Sequence, residues 1–162
     1  MEENDGAYRL YARMGMRQAR LLDCYALPEA MPEASIDVED VGWSEVCSAV
    51  AACRDWAPTW QNDDAALGRV AEAARVFAVR DEAGLAGYAA MIDRSAVLAQ
   101  IAVRPDRRRQ GLGRALVAQA VGAATRPLRV LNADRADDGF AGFMTQAGAQ
   151  WIVGQRALVG PI

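Results

Sequence analysis

The run IAVRPDRRRQGLGRAL, residues 101–116, decides how this chain is read. A β-branched strand ends at Arg104 and Pro105, and three consecutive arginines lead to Gly111 and Gly113. An apolar helix then begins directly. The start of a helix leaves backbone N–H groups unpaired and carries the positive end of the macrodipole, so phosphate is its natural guest. Glycines let the backbone approach such an anion, and Arg104, Arg107, Arg108, Arg109 and Arg114 raise the local potential. Two glycines at a helix start also make an ordinary tight turn, and arginines commonly sit in solvent. The ordered ensemble of strand, arginines, glycines and helix favours the anion site. The third glycine of a dinucleotide fingerprint and the Gly-Lys of a phosphate-binding P-loop are both missing.

The rest of the composition narrows the chemistry. The 162 residues are 52% hydrophobic and 24% charged, which suits one globular domain with a sizeable core. No apolar run approaches the roughly 20 residues needed to span a bilayer, and MEENDGAYRL has no signal-peptide character. A cytoplasmic protein without membrane partners is expected. Histidine and lysine are absent, which removes histidine-dependent triads and Schiff-base chemistry. The three cysteines, Cys24, Cys47 and Cys53, lack metal-ligand spacing, so structural thiols and no metal are expected. A net charge of −3 argues against nucleic acid as the main partner.

Periodicity predicts a helix over 4–14, with Asn4 as N-cap and Gly15 as terminator, and a strand over 17–25. Pro28 and Pro32 mark a linker. A short strand over 35–38 and helices over 43–54 and 63–74 follow. Strands are predicted over 76–80, 85–92 and 97–103, then a helix over 112–124, a strand over 128–132 and a helix over 137–146. Two short strands, 150–153 and 157–159, close the chain. The class is α/β with a mixed sheet, hairpins first and a strand–helix–strand crossover later.

On these residues the chain resembles the GNAT superfamily of N-acetyltransferases. Its acetyl-coenzyme A motif reads Arg or Gln, two residues, Gly, one residue, then Gly or Ala, and is matched by Arg108, Gly111 and Gly113. The resemblance covers residues 35–162 and implies the acyl-CoA N-acyltransferase fold with splayed central strands. It further implies acetyl-CoA as cosubstrate. Arg108 and the backbone of Arg109, Gln110, Gly111, Leu112, Gly113 and Arg114 would hold the pyrophosphate. The strand edge at Ile101, Ala102 and Val103 would pair with the pantetheine arm, and Asn132 would contact it. Gln100 would sit beside a bulge, where many relatives carry a carboxylate.

In such enzymes an amine attacks the thioester carbonyl and the sulfur leaves as a thiolate that takes a proton. Relatives often supply that proton from a tyrosine, in a motif resembling Asn, two residues, Ala, two residues, Leu, Tyr, three residues, Gly. Here DDGFAGFMTQAG puts Asp137 at the Asn place and Met144 at the Tyr place, so the catalytic residues stay unassigned. The complete motif occurs instead at Asn4, Ala7, Leu10, Tyr11 and Gly15. Residues 4–16 and 137–149 therefore read as an internal repeat. The expectation is a tandem arrangement: residues 1–27 as the remnant of a preceding GNAT domain, 28–34 as linker, and 35–162 as one GNAT domain.

Two functions follow. One is an N-acetyltransferase acting on a primary amine of a small molecule or peptide; the other is a silent domain that only binds acyl-CoA. Trp43, Trp56 and Trp60 beside Asp55, Asp63 and Asp64 could hold a cationic acceptor, or serve as core and helix caps. Asp93 is the one carboxylate nominated as a distant base acting through water. A homodimer through the N-terminal helix–strand unit is expected.

Overall fold

A computed structural model describes residues 4–160. The first three residues of the 1–27 unit and the last two of the 35–162 unit lie outside the described residues. The chain begins with helix α1 (Asp5–Arg13), which Asn4 caps by accepting from the Ala7 N–H at 3.0 Å, and strand β1 (Arg17–Ala26). The predicted strand over 35–38 forms later, as β2 (Glu39–Val41). The two helices expected next are shorter than their periodicity, α2 (Trp43–Val46) and α3 (Asp64–Arg69), each followed by a separate 3-10 turn. Strands β3 (Ala74–Asp81), β4 (Gly84–Ile92) and β5 (Val97–Val103) lead into α4 (Leu112–Ala123). The crossover returns through β6 (Arg129–Asp134), and α5 (Asp138–Gln146) and β7 (Gln150–Val159) complete the chain. β7 is one continuous strand rather than two, because β1 pairs with it from Gln150 to Val159.

All seven strands form one sheet in the order β2-β3-β4-β5-β6-β1-β7. Neighbours run antiparallel except β5 and β6, the pair joined by the α4 crossover. One face of the sheet packs on α4, where Leu116, Val117 and Ala120 meet Phe77, Met91 and Leu98. The other face carries Trp43, Val46, Val50 and Leu67 from the short helices, set against Val76, Tyr88 and Ala90. These side chains leave water almost entirely, and each such burial contributes on the order of 1.5–3 kcal/mol.

The two helix–strand units compared in sequence are alike in size. α1 and α5 are both nine residues long, β1 and β7 both ten, and Gly15 and Gly148 end their helices at φ 83° and 81°. The two units are not placed alike. β1 lies inside the sheet between β6 and β7, whereas β7 is an edge strand. α5 buries Met144 completely, while α1 buries nothing and leaves Leu10, Tyr11 and Met14 exposed. Arg156 ties α1 down, stacking 4.7 Å from the Tyr8 ring centroid and reaching Asp5 at 3.4 Å. Among the described residues, no helix is long and apolar enough to cross a membrane.

Candidate active site

Two irregularities in the central strands create the site. β5 and β6 pair only at Val97↔Arg129 and Leu98↔Val130, then diverge. On its other side β5 carries a bulge: Gln100 faces Ala90 and Leu98 faces Met91, leaving Ala99 extra. The bulge breaks the alternation of side chains, so Gln100 turns to the same face as Tyr88 instead of joining Leu98. Past Leu98 the β6-facing side of β5 is open, and a cavity of about 620 Å³ fills the divergence. Ile101, Ala102, Val103 and Asn132 line it, as do Arg108, Arg109, Gly111, Leu112, Gly113 and Arg114. The divergent strands and the glycine loop thus share one cavity. Gln110 is exposed beside it and donates to the Asp106 carbonyl at 3.3 Å.

The loop is built as an anion cradle. Asn4, Asp63 and Asp137 cap α1, α3 and α5 with side-chain oxygens, but no side chain caps α4. Its N-cap, Gly111, is left-handed at φ 87°, and Arg109 two residues earlier is left-handed at φ 61°. Among the described residues, no backbone amide from Arg109 to Arg114 donates to a protein acceptor; the ladder begins with Ala115 N–H to Gly111 O at 3.0 Å. Convergent free amides of this kind form an anion-binding concavity. A Cβ at Gly113 would meet the Phe143 ring at 3.2 Å, so glycine there keeps the helix start against α5. The residues present fit a pyrophosphate.

The five arginines are not equivalent. Arg104 and Arg107 both bind Asp81, at 2.7 and 2.6 Å, and Arg104 also binds Asp106 at 2.7 Å. Hydrogen bonding from Arg104 holds the Asp81 carboxyl below the usual carboxylate range. Arg108 is a brace: it donates to Val103 O at 2.9 Å and Cys53 O at 3.4 Å, and pairs with Asp55 at 2.9 Å. Arg109 and Arg114 have no carboxylate partner among the described residues, and both line the cavity. Free positive charge at the loop therefore comes from those two.

Across the cavity, the segment after the 3-10 turn Val50–Cys53 forms a strap. Asp55 holds Arg108 on one side; on the other, Trp56 Nε1 donates to Asp137 at 3.1 Å and the indole meets Phe140 edge-on at 6.0 Å. Trp43 is core and Trp60 is 75% exposed, so Trp56 is the tryptophan of the three that lines the cavity. Asp63 is a helix cap, accepting from Ala66 N–H at 2.7 Å. Asp64 is held by Arg54 through two 2.8 Å hydrogen bonds, and these hold its pKa below the ordinary carboxylate value.

Behind the strap lies a buried polar network that the sequence left unseen. Tyr88 donates its hydroxyl to Gln100 Oε1 at 2.6 Å, and Gln100 Nε2 donates to Asn62 O at 2.6 Å and Asp64 at 3.1 Å. Burial raises the Tyr88 hydroxyl far above its usual range, so it stays neutral and donating. Asn62 reaches over to Leu131 O at 3.2 Å, and Asn132, left-handed at φ 63°, donates to Gln61 at 2.8 Å. The turn at 59–62 thereby bridges the two diverging strands. Two residues named from sequence lie elsewhere. Asp93 is outside the cavity, where it caps the end of α4 by accepting from Thr125 N–H and Oγ1. Met144 is fully buried in the core and absent from the cavity wall.

The seven-stranded mixed sheet with splayed central strands is the GNAT fold. Residues 72–148 match the family model described as an acetyltransferase (GNAT) domain. No curated protein matches it in sequence. Among solved structures it is similar to a GCN5-related N-acetyltransferase from Sphaerobacter thermophilus (TM-score 0.64, 16% identity, 96% of this chain and 55% of that one). It is similar to another from Kribbella flavida (TM-score 0.60, 21% identity, 99% of this chain and 65% of that one). It is also similar to a tandem GNAT protein from the clavulanic acid biosynthesis pathway (TM-score 0.54, 15% identity, 99% of this chain and 60% of that one). The chain thus spans under two thirds of the length of each.

Proposed function

We propose that this chain transfers an acetyl group from acetyl-CoA to a primary amine. The observation that carries the proposal is the uncapped, left-handed start of α4 opening into the same cavity as the β5/β6 divergence. Free amides from Arg109 to Arg114, with the Arg109 and Arg114 side chains, would bind the pyrophosphate. The open β5 edge at Ile101 and Ala102 would take the pantetheine arm. Asn132 Oδ1, buried and unpartnered, would accept from an amide N–H of that arm. Bound acetyl-CoA supplies the activated acyl group. The protein's contribution is to orient it against the amine, which alone can offset on the order of 7 kcal/mol of barrier. Gln100 cannot act as a base and Asp64 is held by Arg54, so in this reading the amine enters already neutral and Asp138 is the cavity carboxylate without a partner among the described residues.

A second reading, a domain that binds acyl-CoA without turnover, is favoured by one observation. Tyr88 is the only tyrosine among the described cavity residues, and its hydroxyl is committed to Gln100. Release of free thiol from acetyl-CoA against a panel of primary amines separates the two. Binding with thiol release supports transfer, binding without release supports the silent domain, and no binding defeats both.

A further inference from the structure

Buried polar atoms in folded proteins are almost always paired, and a group left unpaired costs stability. Among the described residues two side-chain atoms break the rule, Asn132 Oδ1 and Thr59 Oγ1. Thr59 is 9% exposed, lines the cavity, and opens the turn that bridges β5 and β6; its carbonyl accepts from Asn62 N–H at 2.8 Å. The polar groups around it are engaged. Gln100 is bonded at both ends of its amide, Tyr88 donates to Gln100, and the Asn62 side chain is spent on Leu131. The charges of Arg54 and Asp64 cancel in a two-bond pair. The buried, unpartnered side-chain atom on this turn is therefore a neutral hydroxyl.

We infer that Thr59 Oγ1 reads a neutral hydrogen-bonding group on the acceptor, so that the preferred substrate is a primary amine bearing a hydroxyl or amide rather than a plain alkylamine. The inference rests on the acetyl-transfer reading above. The hydroxyl lies on the turn that bridges β5 and β6 and lines the same cavity as Ile101 and Ala102, and it can donate or accept as the ligand requires. A carboxylate would find no cation on the turn itself, whose residues 59–62 are threonine, tryptophan, glutamine and asparagine. An alkyl group would leave the hydroxyl unpaired.

The test uses isosteric amines that exchange methyl for hydroxyl: propylamine with 2-aminoethanol, butylamine with 3-aminopropanol, and pentylamine with 4-aminobutanol. Each pair is assayed with the wild type, Thr59→Val and Thr59→Ser at saturating acetyl-CoA. In at least one pair Thr59→Val is expected to lower kcat/KM for the hydroxylated member about tenfold, the size of one neutral hydrogen bond. The alkyl member and the acetyl-CoA Kd stay unchanged, and Thr59→Ser restores the discrimination. The Val variant melts no lower than wild type, since it removes an unpaired buried hydroxyl. Should no amine turn over, the pairs are compared by tryptophan fluorescence of the CoA-saturated protein, with the same expectation for Kd. Equal responses across every pair overturn the inference, as does a weakened acetyl-CoA Kd in Thr59→Val, which would assign the hydroxyl to the cofactor. Loss of acetyl-CoA binding by the wild type defeats instead the reading on which it rests.

Discussion

Replacing Gly111 by glutamate strikes the anion cradle at its most constrained point. Gly111 sits at φ 87° with only Ile36 Cδ1 near an added Cβ, at 3.4 Å, so the site has room but the wrong backbone for an L side chain. The left-handed conformation costs a non-glycine residue about 1–2 kcal/mol. For a chain of this size that lowers Tm by roughly 2–8 °C. The carboxylate adds a second effect, since a negative charge about 5 Å from a phosphate repels it by about 1–3 kcal/mol at an effective dielectric of roughly 20–80. Gly111→Ala carries the backbone cost alone and separates the two. In thermal-shift titration, acetyl-CoA at 100 times its Kd stabilises wild type by about 2.7 kcal/mol. Gly111→Ala should start lower and keep most of that gain. Gly111→Glu should start lower still and need roughly 5- to 150-fold more ligand. If the Glu variant binds as tightly as the Ala variant, the phosphate does not sit at α4.

Other consequences follow from the same geometry. If the amine enters already neutral, kcat/KM should rise with pH along a single limb up to the pKa of the amine itself, near 10 for an alkylamine; a plateau set by a protein group between pH 5 and 8 would contradict this and point to a cavity carboxylate such as Asp138. Acid stability should depend on Asp23 and Asp64. Burial works to raise Asp23, but hydrogen bonds from Arg135 and Trp151 outweigh it and leave the group below its ordinary value; Arg54 lowers Asp64. A depressed carboxylate stabilises the fold above its unfolded pKa of about 3.9 and loses that contribution as pH falls through the lower folded value. Melting curves should therefore hold from pH 7 to about 5 and drop below 4, and Asp23→Asn should flatten the drop. Asp55→Asn, which releases Arg108 from a half-exposed pair, should change stability by less than about 1 kcal/mol. Isothermal titration should show it tightening acetyl-CoA binding several-fold, and weaker binding would show that Asp55 assists the cofactor.

Much of the fold was legible because local signals agreed with the tertiary result. The α4 helix, the β3–β5 hairpins and the caps at Asn4 and Asp63 follow from periodicity and side-chain oxygens at helix starts. The glycine-containing loop that opens α4 was legible too, since Gly111 and Gly113 follow a β-branched strand and precede an apolar helix. What the sequence concealed depends on long-range pairing. Gly154 interrupts the β7 pattern, yet β1 holds it as one strand. Nothing local announces that β1 enters the middle of the sheet. The arginine cluster looked uniformly available, but Asp81 and Asp55, remote in sequence, occupy three of its five members. Thr59 and Asn62 carried no motif, because their role arises where β5 and β6 part company.

The central claim is that the start of α4 and the parting of β5 from β6 form one acetyl-CoA site. A crystal structure of the chain grown with acetyl-CoA tests it most directly. The account predicts pyrophosphate oxygens within hydrogen-bonding distance of the amides from Arg109 to Arg114, and the thioester lying between Ile101 and Asn132. Acetyl-CoA bound elsewhere, or a cradle left empty at saturating ligand, would contradict it.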